Sequence, residues 1–134
     1  PVFDYEHKLV VSTSHPLAIQ TSVEPEQLAQ ETLFTYPVEP ERLDIFSQFL
    51  HPTKCSVKQH KIMETTEIMM QLVAANRGIC ALPGWLVEEY AQSLNIKSLR
   101  FGDKGIHKQI NIGVRKGETQ LSYLDDFIAQ AKNN

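Results

Sequence analysis

The sequence is poor in cysteine. It has two, Cys55 and Cys80, and no CxxC pair, so a disulfide framework is excluded. Cys80 lies in the apolar run ICAL, where a buried, inert thiol is expected. Basic excess is also missing. Thirteen Lys and Arg against sixteen Asp and Glu give a formal net charge of -3, which leaves no global footprint for nucleic acid. Lys54, Lys58 and Lys61 are too interrupted to make a local patch. No apolar run approaches the ~20 residues of a membrane span. The opening PVFDYEHK has neither a methionine nor the basic-then-apolar pattern of a secretory signal. A processed chain or fragment is therefore expected, with a cytoplasmic setting and no membrane partner. Walker, GxGxxG and GxSxG patterns are absent, as are repeats and long linkers. No nucleophile, base and orienter come together, so neither an enzyme nor a cofactor is expected. His51, Cys55 and His60 have spacings a metal could use, but no second compact pair supports them and no metal site is assigned.

What is present is an alternation of strand and helix signals. KLVVST (8–13), LFTYP (33–37), SVKQHKIM (56–63), ICAL (79–82), IKSLRF (96–101) and QINIGVRK (109–116) read as strands. VEPEQLAQ reads as a short helix with Pro25 at its first position. ERLDIFSQFL places Leu43, Phe46 and Leu50 on one helical face. Ile68, Met69, Leu72, Val73 and Asn76 recur at helical spacing, with Gly78 as a left-handed C-cap. Leu86, Val87, Tyr90 and Leu94 form another helical stripe, and the tail LSYLDDFIAQAK is amphipathic. The pattern predicts an α/β fold with a mostly parallel sheet.

The most suggestive local feature is Thr65–Thr66, flanked by Glu64 and Glu67, where a strand hands over to a buried helix. A helix start leaves backbone N–H groups without partners, and Thr65 suits the N-cap. Capping alone accounts for one threonine. The alternative is an anion cradle, built from those N–H groups, the helix dipole and the Thr66 hydroxyl. Nearby acids would repel a bare dianion but suit a zwitterion. In a parallel α/β sheet such corners are where ligands bind. Met63, Met69 and Met70 read as core filler, although Met63 could line a thioether-friendly pocket. Trp85, just after Pro83, is either helix core or a pocket wall.

FDYEHKLVVSTSHPLA, EQLAQETLFTYP, TTEIMMQLVAANRGICALPGWL and NIGVRKGE, in that order, resemble segments of the effector domains of LysR-type transcriptional regulators. The likeness is strongest to members that control methionine biosynthesis. The resemblance implies a type 2 periplasmic-binding-protein-like domain, of which this chain carries mostly the second lobe. Residues 1–14 would be a crossover strand, 15–105 the second lobe, and 106–134 a return strand and C-terminal helix. The family's winged helix-turn-helix is absent, so DNA would be reached only through it. The resemblance further implies a co-inducer, homocysteine or a related amino acid, rather than a cofactor, and a homo-oligomer. It places the segment Met63, Glu64, Thr65 and Thr66 at the effector cleft, with the threonine hydroxyls on the ligand; Tyr36 and Pro37, at the neighbouring strand end, are the next candidates, and Met63, Pro83 and Trp85 are candidate apolar walls. The competing readings are a solute-binding-protein fragment for a small amino acid or carboxylate, and a small α/β enzyme.

Overall fold

The computed structural model describes residues 2–111. Its longest element is strand β1 (Val2–Ser12), which continues three residues past Leu9 and begins well before the apolar run KLVV. Six further strands follow: β2 (Ser22–Val23), β3 (Thr32–Thr35), β4 (Gln59–Ile62), β5 (Ile79–Pro83), β6 (Ile96–Phe101) and β7 (Ile106–Asn111). They form a seven-stranded sheet in the order β2-β6-β1-β5-β3-β4, with β7 also on β1. β2 and β6 are parallel, as are β3 with β4 and with β5. β1 runs antiparallel to β5, β6 and β7. The sheet thus has one reversed strand, β1, against which β5, β6 and β7 all run in the opposite direction.

Period-two alternation along β1 divides the interior in two. Leu9 and Val11 point into one core with Leu33, Ile79 and Leu99. Val10 points into the other with Phe34, Cys80 and Leu82. Helices α1 (Thr66–Ala74) and α2 (Gly84–Ala91) cover the second face. The first face is covered by Ile45, Phe46, Phe49 and Leu50. Both sides of the sheet are therefore buried, as parallel strands require.

Several sequence expectations change in detail. VEPEQLAQ forms only a single 3-10 turn, Pro25–Leu28. The segment 41–50 is a 3-10 turn, Pro40–Arg42, followed by a π-helix, Ile45–Leu50, rather than one α-helix. The wider π turn brings Ile45, Phe46, Phe49 and Leu50 all to the buried side. On α1 the buried line is Met69, Met70 and Val73, whereas Ile68 is exposed. Helix α2 stops at Ala91, but Tyr90 and Leu94 still pack on the second core as the stripe suggested. β7 begins three residues before the expected strand, and residues 112–134, with the tail helix, lie outside the described residues.

Gly78 is not the left-handed cap. Asn76 takes that role at φ 61°. The Asn76 N–H donates to the Val73 carbonyl and the Arg77 N–H to the Leu72 carbonyl, a Schellman closure. Gly78 is needed for closeness instead. A Cβ there would lie 2.5 Å from Phe34 Cε2 and 2.7 Å from the Thr32 carbonyl oxygen. Gly78→Ala should therefore destabilise the domain by about 1–3 kcal/mol through overpacking, measured by urea denaturation. Asn76→Gly should be nearly neutral in the same assay.

Candidate functional site

The carboxyl ends of parallel strands are where open α/β sheets present ligand sites. Here β3 ends in a tight turn: the Val38 N–H donates to the Tyr36 carbonyl across Pro37, at 2.8 Å. β5 runs straight into α2, with Pro83 as both last strand residue and helix N-cap. Gly84 makes this possible, since a Cβ there would come within 3.3 Å of the Glu6 carbonyl oxygen on β1.

Between these ends lies a cavity of about 300 Å³. Its walls are mainly apolar, from Phe34, Leu43, Ile45, Met69, Ala81, Leu82 and Leu86. Tyr36, Pro83 and Trp85, three of the residues singled out in the sequence, line it. Thr66 stands just behind, its Oγ1 hydrogen-bonded to the Tyr36 hydroxyl. Thr65 is the N-cap of α1: its extended backbone (φ -126°, ψ 145°) lets the side chain accept from the Ile68 N–H at 3.3 Å. Glu64 and Pro37 are exposed and do not line the cavity. Met63 is half-buried and lines a separate hollow with Thr32, Lys61, Leu72 and Arg77. Glu67 accepts from the Tyr90 hydroxyl at 3.0 Å. Burial, reinforced by that bond, pushes the Tyr90 phenol up to about 12.

Sequence reasoning missed the contribution of β1. Tyr5 and His7 both line the cavity. The signal was available: positions 5, 7, 9 and 11 of a strand share a face, and Leu9 and Val11 were plainly core. His7 stacks on Phe101 with ring centroids 6.2 Å apart and planes 21° from parallel. Its Nδ1 is buried with no hydrogen-bond partner among the described residues. Burial pulls its pKa down to about 4, with Asp44 opposing and Lys108 adding to the fall, so the ring is neutral at pH 7. Asp44 and Lys108 are paired with each other at 2.7 Å. Burial raises the Tyr5 phenol; Lys108 opposes and Asp44 adds. Beyond this, Glu6 is held by Arg100 through Nε at 2.8 Å and Nη2 at 3.1 Å, which lowers its pKa. A wider and more polar hollow of about 800 Å³, lined by Asp4, Gln48, His107 and Lys108 among others, opens on this side.

Among the described residues, no group of three or more His, Cys, Asp or Glu side chains is placed to hold a metal. His60 instead bonds Thr35 Oγ1 at 2.6 Å and sets its ring edge-on to Phe46. No helix among the described residues is long and apolar enough to cross a membrane. The cavity's chemistry is that of binding. An apolar chamber with a few hydroxyls, an imidazole and an indole suits a small amphipathic molecule.

The LysR substrate-binding domain model matches residues 1–134. The chain belongs to this family. MetR of Escherichia coli K12, an HTH-type transcriptional regulator, is 40% identical over all of this chain, which spans 42% of that protein's length. MetR of Salmonella typhimurium is 37% identical over the same share. The regulatory domain of MetR from N. meningitidis superposes with a TM-score of 0.76 at 32% identity, over 99% of this chain and 61% of that one. The effector-binding domain of QuiR in complex with shikimate shares the fold, with a TM-score of 0.60 at 21% identity, over 79% of this chain and 49% of that one. The periplasmic-binding-protein-like α/β architecture that the sequence implied is thus the observed one.

Two stability effects follow from this LysR-family site. Thr65→Ala should cost about 1 kcal/mol in chemical denaturation, and Thr65→Asp should retain most of it. His7 resists the proton in the native state, while the unfolded chain takes it below pH 6.5. Stability should therefore fall as pH drops from 6.5 towards about 4, by about 2 kcal/mol at pH 5 from this group. Denaturation of wild type and His7→Phe at pH 7 and pH 5 isolates the contribution, with the smaller loss expected in the variant.

Proposed function

We propose that this chain is the effector-sensing part of a transcription regulator of methionine biosynthesis genes. The cavity at the ends of β3 and β5 holds homocysteine or a related amino acid. The observation that carries the reading is that this apolar chamber has the Tyr36–Thr66 hydroxyl pair at its rim, beside the start of α1. The MetR relatives, which match the whole chain, support the assignment to methionine control.

A homocysteine molecule has one carboxylate, one ammonium and a short thiol-bearing stem. Its carboxylate suits the unpaired N–H groups and positive dipole end of α1, together with the Thr66 and Tyr36 hydroxyls. Its stem suits the wall formed by Met69, Trp85 and Leu86. Thr65 serves the site indirectly by capping the helix, and exposed Glu64 can meet the ammonium from solvent. Pro37 shapes the turn that presents Tyr36. Met63, on a separate hollow, is assigned no contact.

In the whole regulator a second lobe closes over the cavity. The two crossover strands β1 and β7 carry that closure, and a winged helix-turn-helix outside this chain reads DNA. Subunits pair, and ligand shifts the balance between two packings through its differential affinity for them. A coupling of ~1–3 kcal/mol is the usual range for such a device.

Calorimetric titration of L-homocysteine into the intact protein, with methionine and cysteine as controls, tests the reading. Selective binding of homocysteine is expected. Thr66→Val and Tyr36→Phe should each weaken it about tenfold, the loss of one charge-assisted hydrogen bond. Equal binding of all three amino acids, or none, would remove homocysteine as the effector.

A further inference from the structure

His7 lines the cavity from β1. It occupies an unusual place on β1. Residues Val2 to His7 pair with β7, and His7 to Val10 pair with β5. His7 is the residue common to both, opposite Pro83 on one side and Ile106 on the other. His7 is thus the last residue of β1 paired with β7, before β6 takes over at Lys8, and the first paired with β5 on the other side.

A polar atom sealed in an apolar wall is unfavourable unless something pairs with it. Nδ1 of His7 has no partner among the described residues. The charged groups that act on it, Asp44 and Lys108, are paired with each other at 2.7 Å and not with Nδ1. Its ring face is taken by Phe101. A neutral imidazole carries one donor and one acceptor, so it can meet either kind of polar group. The ring lines the cavity, and because a half-turn about χ2 exchanges Nδ1 with a ring carbon, either of its edges can carry a nitrogen.

We propose that His7 is the polar anchor of this cavity, hydrogen-bonding a neutral thiol or hydroxyl on a small molecule whose apolar body fills the chamber, and so tying ligand occupancy to the crossover strand. The proposal rests on the cavity being the effector site and adds the group that reads the buried end of the ligand. The hydroxyls at the rim and the imidazole within then grip opposite ends of one molecule. Held at both ends, the ligand fixes β1 relative to β3 and α1 at the residue where β1 passes between β5 and β7. A ligand of the same shape without the buried polar group would fill the chamber but leave His7 unpaired, and would bind less well.

The test uses the intact protein carrying ¹⁵N-labelled histidine, with two probes, L-homocysteine and 1-butanol. Saturating probe should shift the ring nitrogens of His7. His7→Phe should bind the probe at least roughly tenfold more weakly than wild type, the equivalent of one hydrogen bond. His7→Asn, which keeps an amide near the position of Nδ1, should recover part of that loss. The wild-type spectra decide the matter even where the Phe variant folds poorly. Shifts with 1-butanol but not with homocysteine would support the anchor and remove homocysteine from the functional reading. Binding of either probe with the His7 nitrogens unmoved, or full affinity in folded His7→Phe, would overturn the anchor. No binding of either probe would overturn both the anchor and the cavity as a ligand site.

Discussion

The structure depends on one reversed strand. β1 threads through a sheet that is otherwise parallel on both sides of it, and its backbone pairs with β5, β6 and β7. Leu9, Val10 and Val11 are all fully buried. Because adjacent side chains of a strand face opposite ways, those three residues anchor two separate cores at once. A polar or charged substitution at any one of them would cost its core an apolar contact and leave an unpaired group in the middle of the molecule.

The same strand creates the cavity. β5 ends at Pro83 and β3 ends beside Tyr36, but β1 enters between β5 and β6 from the opposite direction. Its first half, with Tyr5 and His7, therefore runs past the open ends of the parallel strands. The chamber is walled by apolar groups from both cores, and its polar lining comes from β1, the end of β3 and α2, with Thr66 of α1 behind Tyr36. Tyr36 follows β3, Thr66 opens α1, and His7 sits on β1. A molecule that touches all three reports on their relative placement. In the proposed function that is the basis for sensing: binding energy becomes a preference for one arrangement of β1 against β3 and α1.

Much of the fold was legible in the sequence, since strands alternating with helices and short turns leave few topologies open. The helix start at Thr65 was readable from capping chemistry, and α2 from its stripe of Leu86, Val87, Tyr90 and Leu94. The π turn at 45–50 was not, because Leu43, Phe46 and Leu50 fit an α-helical face just as well. Only tertiary packing reveals that Ile45 and Phe49 are inside too. Of the cavity lining, Tyr36, Pro83 and Trp85 were singled out in the sequence, Tyr36 from its strand end and Trp85 from its place just after Pro83. Glu64 and Met63 follow β4, an edge strand with exposed side chains, so Glu64 faces solvent and Met63 a separate hollow rather than this cavity. His7 was passed over because the apolar run beside it looked purely structural, and its importance comes from which strands flank it rather than from its neighbours in the chain.

Amide hydrogen exchange of the intact protein, with and without L-homocysteine, tests the central claim most directly. The account expects added protection in three separated stretches: Tyr5 to Leu9 on β1, Phe34 to Tyr36 on β3, and Leu82 to Leu86 across the β5–α2 junction. Protection confined to Thr65–Ile68, or lying in the polar hollow around Gln48 and His107, would contradict it, since the ligand would then bind without engaging the crossover strand.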